Sequence, residues 1–388
     1  MRFEPLPYHL AVADCLAETE PELWHWFEDE HNAARDATAT LSDLRRFTVR
    51  IERSGADEPR YALAEAARDR IQLAEPIALY RLLDPAEAPG ISLVFLPEEI
   101  AIVLAGAILD HLRADGELLA AFGREIARFA LFRSDNGRLH VAERALRWLA
   151  AQKASSPEIR ETARRYWLVT EAYCDAGGLI ASDDFPATLT TIFKLFPGAD
   201  AADVAPYLAP SDSDMVPAAA AARSAVPSDL DARARALARF QERSRSRQSA
   251  ILEDVPAGAI DLGTLDLTDQ KLLRDMTRSI LDRVLCGRGM HSAAVLAYAR
   301  EMFTGYEPPA TAQPLTPPPR ALSPSIVDYL AYLLLDLATA EGSRLQSWIA
   351  VAVAAADEVG VGPRFREIAR QELRGRRGVQ AGLAGRAA

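Results

Sequence analysis

Apolar and polar positions change period along the chain, and each change predicts an element. From about Pro21 to Leu44 acidic and aromatic residues mix (ELWHWFEDE) in a pattern that reads as helical. FTVRIERS, from Phe47 to Ser54, has the alternation of a strand. IALYRLL from Ile77, ISLVFL from Ile91 and EIAIVLAG from Glu99 predict further strands. Then Ile108, Leu109, Leu112, Leu118, Leu119, Phe122, Ile126 and Phe129 recur at helical spacing. A small sheet is therefore expected to be followed by helices.

Helical patterning continues over Leu139–Lys153, Ser156–Ile180 and Asp184–Phe196. Ser156-Pro157-Glu158 opens the second of these as N-cap and first-turn residues, and Pro197-Gly198 ends the third. Ala209–Asp231 is rich in Asp, Ser, Pro and Ala without an apolar period, and it is expected to be a mobile loop. Leu230–Arg247 reads as a charged helix, and a second helical block begins near Thr268. The proline-rich stretch Glu307–Pro319 is expected to be extended and exposed, a linker within that block. From Ser325 to about Gly375 two amphipathic helices close the chain, and no short-period repeat is present. The fold class is α+β. The expected domains are 1–250, carrying the sheet, and 251–388, mostly helical.

Composition narrows the function classes. The chain has 388 residues, 49% of them hydrophobic, enough for two cores. Asp and Glu outnumber Lys and Arg by 55 to 44, which argues against general nucleic-acid binding. Cys15, Cys174 and Cys286 are far apart and form no C-x-x-C pair, so neither a disulfide framework nor a thiolate metal site is expected. A reducing cytoplasm fits that usage. The first fifteen residues contain Pro5, Pro7, His9 and Asp14 and do not read as a signal peptide. The apolar run Ile100–Leu112 is interrupted by Asp110 and is too short to span a bilayer.

The candidate chemistry lies in Glu117–Arg128, ELLAAFGREIAR. Arg124 and Arg128 stand at i and i+4 around Glu125, and Thr170-Glu171-Ala172-Tyr173-Cys174-Asp175 follows on a later predicted helix. Taken alone, R-E-x-x-R is a solvated charge face, and Glu171 and Asp175 a surface pair. The surrounding apolar residues argue otherwise. Phe122, Ile126 and Phe129 flank the arginines, and Trp167, Leu168, Leu179 and Ile180 flank Glu171.

In order and spacing, residues from about Ile91 to Leu237 resemble the soluble HtpX-type zinc metallopeptidases, which are gluzincins. Their active-site helix carries H-E-x-x-H: two histidines on one face hold zinc, and the glutamate is the general base. The resemblance sets Arg124 and Arg128 at the histidine positions, Glu125 at the general base, Glu171 at the third ligand and Asp175 at the aspartate that follows it. Asp183–Gly198 resembles the next helix of the family, and Arg233-Ala234-Arg235-Ala236-Leu237 a later segment. The chain departs from the family at Ala176, where arginine is common, and beside Pro227, where no histidine stands. A guanidinium has no lone pair for a metal and repels a dication.

The resemblance therefore implies a zincin-like fold with a vestigial site: Glu125 as a relic base and Arg124, Arg128, Glu171 and Asp175 in place of a zinc centre. Zinc is expected to be absent, with no other cofactor. Arg124 or Arg128 is expected to pair with Glu171 or Asp175 and so replace coordination by ion pairing.

No replacement chemistry stands out. The six histidines are not paired at i,i+3 or i,i+4; His25 reads as a packing residue, and His140 could approach the helix of Glu125. Cys174 reads as a small core residue, because no histidine is placed to activate it. Arg364–Arg377 reads as a solvated helix end and tail. The segment Ser323–Leu373 resembles in outline the small helical TerB domains of tellurite resistance, with Asp336 and Glu341 near the turn that binds metal there. In the plainer reading it forms a helical bundle with Tyr329, Tyr332, Leu333 and Trp348 in its core or at an interface.

Two functions follow. In the first the chain is a pseudopeptidase, a cytoplasmic binding or regulatory subunit without a membrane span. Its partner would be an active metallopeptidase paralogue or the peptide that such an enzyme cuts, and an oligomer is compatible with this role. In the second it is a hydrolase using Glu125 and Glu171 in an unusual site, or a divalent ion held by carboxylates alone.

Overall fold

The computed structural model describes residues 4–84, 87–199, 201–208, 227–242, 259–286, 292–311, 315, 320–340, 344–376 and 379–383. The fold is mixed α+β, mostly helical, with one four-stranded sheet among the described residues. Contacts divide the chain into two compact units, Met1–Pro256 and Ala257–Ala388. None of the described helices is long and apolar enough to cross a membrane.

The first unit begins with three helices, α1 (Pro7–Thr19), α2 (Pro21–Glu28) and α3 (Glu30–Phe47). The single helix expected over Pro21–Leu44 is thus two, separated where Asp29 turns away and caps Asn32 N of the next. Strand β1 is only Thr48–Arg50, much shorter than the strand expected over Phe47–Ser54: Phe47 still belongs to α3, and a helical turn starts at Gly55. Next come α4 (Glu58–Ile71), β2 (Ile77–Leu82), β3 (Gly90–Leu96) and β4 (Glu99–Ala105). The apolar periodicity after the sheet is split into a single turn, α5 (Ile108–His111), and α6 (Asp115–Arg133). Glu117 accepts from Arg113 N at 3.0 Å and so caps the start of α6. The unit continues with α7 (Arg138–Ala151), α8 (Pro157–Ser182), α9 (Phe185–Leu195), α10 (Ala205–Leu208) and α11 (Ser228–Glu242). Ser156 and Asp184 are the N-caps of α8 and α9.

The loop expected over Ala209–Asp231 lies outside the described residues from 209 to 226. Its last part, Ser228–Asp231, is the first turn of α11 rather than loop. Residues 243–247 of the charged helix also lie outside.

The sheet order is β1-β2-β4-β3, with β2 and β4 parallel and the outer pairs antiparallel. Leu41 and Leu44 of α3 pack on one face, against Ala78, Tyr80, Ala101 and Val103. Helices α4 and α6 cover the other. Strand β3 is therefore an edge strand lying against α6. Behind α6 runs α8, close enough that a β-carbon on Gly123 would collide with Ala181 and the Gly177 carbonyl, and one on Gly177 with Ala127. Glycine and alanine on both helices bring their backbones together, which sets the reach of the side chains beside them. Helix α1 anchors on α8 through His9. The ring is fully buried, with Nε2 3.2 Å from the Thr170 hydroxyl and edge contacts to Tyr166 and Tyr173.

The second unit contains α12 (Leu267–Leu285), α13 (Ala293–Met302), α14 (Pro324–Thr339), α15 (Leu345–Glu358), α16 (Gly362–Glu372) and α17 (Val379–Leu383). Three main helices, not two, therefore span Ser325–Gly375, because Val359-Gly360 ends α15 and Pro363 starts α16. Leu330, Leu334, Trp348, Ile349 and Phe365 form the core. Leu333 is also buried, but Tyr332 is 43% exposed and Tyr329 hydrogen-bonds Thr277 at the margin. Within Glu307–Pro319, residues 312–314 and 316–319 lie outside the described residues. The remainder is irregular, but Pro308, Pro309 and Leu315 are half-buried rather than exposed, and Leu315 packs on the core. Arg364 and Arg366 are not simply solvated: they pair with Asp328 and Asp357. Asp336 accepts from the Tyr298 hydroxyl at 3.0 Å, and Glu341 lies outside the described residues.

Candidate functional site

Helix α6 presents Arg124, Glu125 and Arg128 toward α8 and β3, and α8 presents Glu171 and Asp175 one turn apart. Burial contradicts the reading of R-E-x-x-R as a solvated face. Arg124 is 5% exposed, Glu125 4% and Asp175 0%. The close approach of α6 and α8 at Gly123, Gly177 and Gly178 brings these side chains between packed backbones.

The five residues singled out in the sequence come together. Arg124 Nη2 donates to Glu171 Oε2 at 2.5 Å, and Arg124 also pairs with Asp175. Arg128 Nη2 donates to Glu171 Oε1 at 2.6 Å, so the two arginines grip separate oxygens of one carboxylate. Arg128 Nε lies 3.3 Å from Glu125 Oε2. That same Glu125 oxygen accepts the backbone N–H of Leu93 on β3 at 2.9 Å. Glu125 is thus tied to the sheet edge and one arginine.

Arg233 completes the cluster and was not among the site residues named from the sequence. From α11 it donates Nε and Nη2 to the two oxygens of Asp175 at 2.8 and 2.9 Å, a bidentate pair. Its Nη2 is also 3.5 Å from Glu171. The signal available was the spacing of Leu230, Ala234 and Leu237, all buried, which puts Arg233 on the inward face of α11.

Burial alone would raise the Glu171 carboxyl, but the guanidinium groups of Arg128, Arg124 and Arg233 overcome it and hold it well below the usual carboxylate range. Glu171 is a fixed anion, unable to take or give a proton near neutrality. Cys174, between the two carboxylates, is pushed up to about 12 by burial and stays a thiol. The nearest polar groups to Glu171 are N–H donors, which hydrogen-bond and do not ligate. Among the described residues no three His, Cys, Asp or Glu side chains are disposed around a common point that could hold a metal ion.

Beside this cluster lies a cleft of about 1540 Å³, bounded by the end of α2 and by α3, β3, α6 and α7. Glu125 and Arg128 reach its wall. His140 stacks 4.3 Å from Phe95 of β3 and also lines the cleft; burial, and then Arg144 and Arg147, lower it to about 4, so it is neutral at pH 7. His140 approaches the helix of Glu125, as the sequence suggested. His25, expected to pack, is exposed, and it is Trp24 that is buried.

The strand edge facing the cleft has a definite pattern. The two-residue turn Pro97-Glu98 joins Leu96 to Glu99, and the facing pair Phe95–Ile100 is not hydrogen-bonded, because Ile100 N donates to Pro76 O instead. Alternation then points the backbone groups of Ile91, Leu93 and Phe95 away from β4. The Leu93–Glu125 bond has that direction.

Comparison of the chain with models of known protein families, with curated proteins and with solved structures finds no match.

Proposed function

We propose that the chain is a pseudopeptidase: a zincin-like protein that binds a protein or peptide partner and does not cleave it. One observation carries this reading. The i,i+4 pair that would have to ligate a dication consists of Arg124 and Arg128, and both are spent on Glu171. Two guanidinium groups supply the charge of the ion without its Lewis acidity, so no water or carbonyl is polarised there. The residues do not fit zinc, because guanidinium groups stand where its nitrogen ligands would be needed. A strand, a helix with a buried glutamate, and a second helix supplying a clamped glutamate support the zincin reading.

The alternative, hydrolysis through Glu125 and Glu171, is disfavoured by the same contacts. A general base needs a proton affinity near the working pH and an accessible oxygen. Glu171 is held ionised by three arginines, and one oxygen of Glu125 is engaged by Leu93 and Arg128.

What is retained is the cleft and its strand edge. A partner segment, from an active metallopeptidase paralogue or from a protein such an enzyme would cut, is the occupant consistent with an open sheet edge. The test is to incubate the purified protein with unfolded polypeptide and with zinc, and to follow binding and chain length together. Saturable binding with intact polypeptide is expected. Chelator-sensitive cleavage that disappears in Glu125→Gln would overturn the reading.

A further inference from the structure

The cleft is not electrically neutral, and its imbalance selects among occupants. Every arginine lining it already has an anionic partner among the described residues. Arg128 pairs with Glu125 and Glu171, and Arg133 with Glu75. Arg138 pairs with Asp14, Arg144 with Asp36, and Arg147 with Glu143. His140, the histidine in the lining, is stacked on Phe95 and Phe132. Against these, three carboxylates of the lining, Glu28, Asp43 and Glu98, have no cationic partner among the described residues, and all three are exposed. They come from three elements around the cleft: the end of α2, the last third of α3, and the β3–β4 turn. A concave wall with an unpaired excess of one sign of charge biases the field in the opening and raises the local concentration of counter-charged ligands. The net charge of −11 acts in the same direction.

The second element of recognition is the strand edge. Among the described residues the outward backbone groups of Ile91 and Phe95 and the Leu93 carbonyl have no partner along the cleft, and the Leu93 N–H is taken by Glu125. Such an edge takes an extended segment by main-chain hydrogen bonds, and the flanking side chains choose which segment. Exposed edges of this kind otherwise lead to aggregation unless covered or charged. The apolar groups beside it, Phe95, Phe132 and Trp148, offer contact for alternate side chains.

We infer that the occupant of this cleft is an extended, basic polypeptide segment that adds to β3 as a fifth strand and sets Lys or Arg side chains against Glu28, Asp43 and Glu98. This rests on the proposed function in that the cleft must be a binding site. It adds the sign of the partner's charge and its conformation.

The test uses the full chain and three fluorescent peptides of equal length and equal apolar alternation, with cationic, neutral or anionic polar positions, titrated by anisotropy at low and high salt. The cationic peptide is expected to bind at least about tenfold more tightly than the anionic one, and to lose most of that advantage at high salt. The charge-reversed Asp43→Lys/Glu98→Lys protein should invert the order. Ile91→Pro removes one outward N–H without touching the β4 ladder and should weaken all three peptides. Should that variant misfold, a cationic peptide N-methylated at alternate amides reads the same bonds from the ligand side. Equal affinities for the three peptides, with loss in Ile91→Pro, would overturn the charge selection and leave the binding cleft standing. Tight cationic binding that ignores both the proline and the N-methyl groups would overturn the added strand. No binding of any peptide would overturn this inference and the cleft-binding function together.

Discussion

In the first unit arginines meet carboxylates between helices: the side chains of Arg124 and Arg233 are 6% and 8% exposed, and Asp175 is 0% exposed. In the second unit Arg283 meets Glu358 with side chains 36% and 34% exposed, and Arg364 meets Asp328 in a similar setting. The chemistry of the two groups is the same and their physical meaning is not. In water an ion pair gives back most of its attraction as lost hydration and side-chain freedom. Out of water each partner holds the other's charge, and removing one leaves a charge with no solvent to take it. The first arrangement has a reason beyond stability only if the residues are placed for something, and the proposed function supplies one: they stand where the spacing would otherwise require metal ligands.

The largest effect is expected where burial is deepest. Arg233→Ala leaves Asp175 with half its partners and should destabilise the first unit by about 3 kcal/mol or more in urea unfolding. Adding Asp175→Asn should restore part of that loss, because the orphaned charge is removed as well. A loss under about 1 kcal/mol would make the pair equivalent to a surface bridge and erase the contrast.

Acid should act next, and on the first unit. Burial pushes His9 down to about 3 and, with Arg144 and Arg147, His140 to about 4, whereas an unfolded histidine titrates near 6.5. The unfolded chain therefore binds more protons between those values. This contribution is fully present above about pH 6.5 and is lost as pH falls toward 4 and then 3, by about 2 kcal/mol per histidine at pH 5. His9→Gln should lower stability at neutral pH and flatten its fall between pH 7 and 5. An unchanged slope would show that His9 is solvated. Glu171, held low by its arginines, adds a further loss only below the ordinary carboxylate range.

The smallest effect belongs to the second unit. Arg283→Ala should change stability by under about 1 kcal/mol, and that difference should vanish at high salt. A loss as large as that of Arg233→Ala would mean that exposure does not separate the two classes of pair.

The sequence was most readable where a residue's neighbours fixed its surroundings. Strands β2, β3 and β4 followed from their β-branched runs, and the α6–α8 pair from apolar residues around Arg124 and Glu171. Strand β1 is shorter than the alternation over Phe47–Ser54 implies, because the ladder with β2 covers Thr48–Arg50 and only one further bond, Ile51 N to Leu79 O, follows before the chain turns. Helices α1 and α4 were not anticipated. The polar ends and prolines of α1 conceal a face, His9, Val12 and Leu16, that is buried against distant helices, α7 and α8, with Tyr166 and Tyr173 receiving His9. Arg233 was visible as part of a segment but not as a site residue, since no local pattern says which carboxylate an arginine 58 residues away will meet. Chain-distant pairing of this kind is decided by packing, which the order of residues encodes only through the whole fold.

The central claim is that guanidinium groups occupy the position a dication would need. Calorimetric titration of zinc into the purified protein, beside melting curves with and without zinc, tests it most directly. The account predicts no stoichiometric heat and no rise in melting temperature, because Glu171 is already neutralised by Arg124, Arg128 and Arg233. One tightly bound equivalent of zinc that stabilises the protein, and is lost in Glu171→Ala, would contradict it.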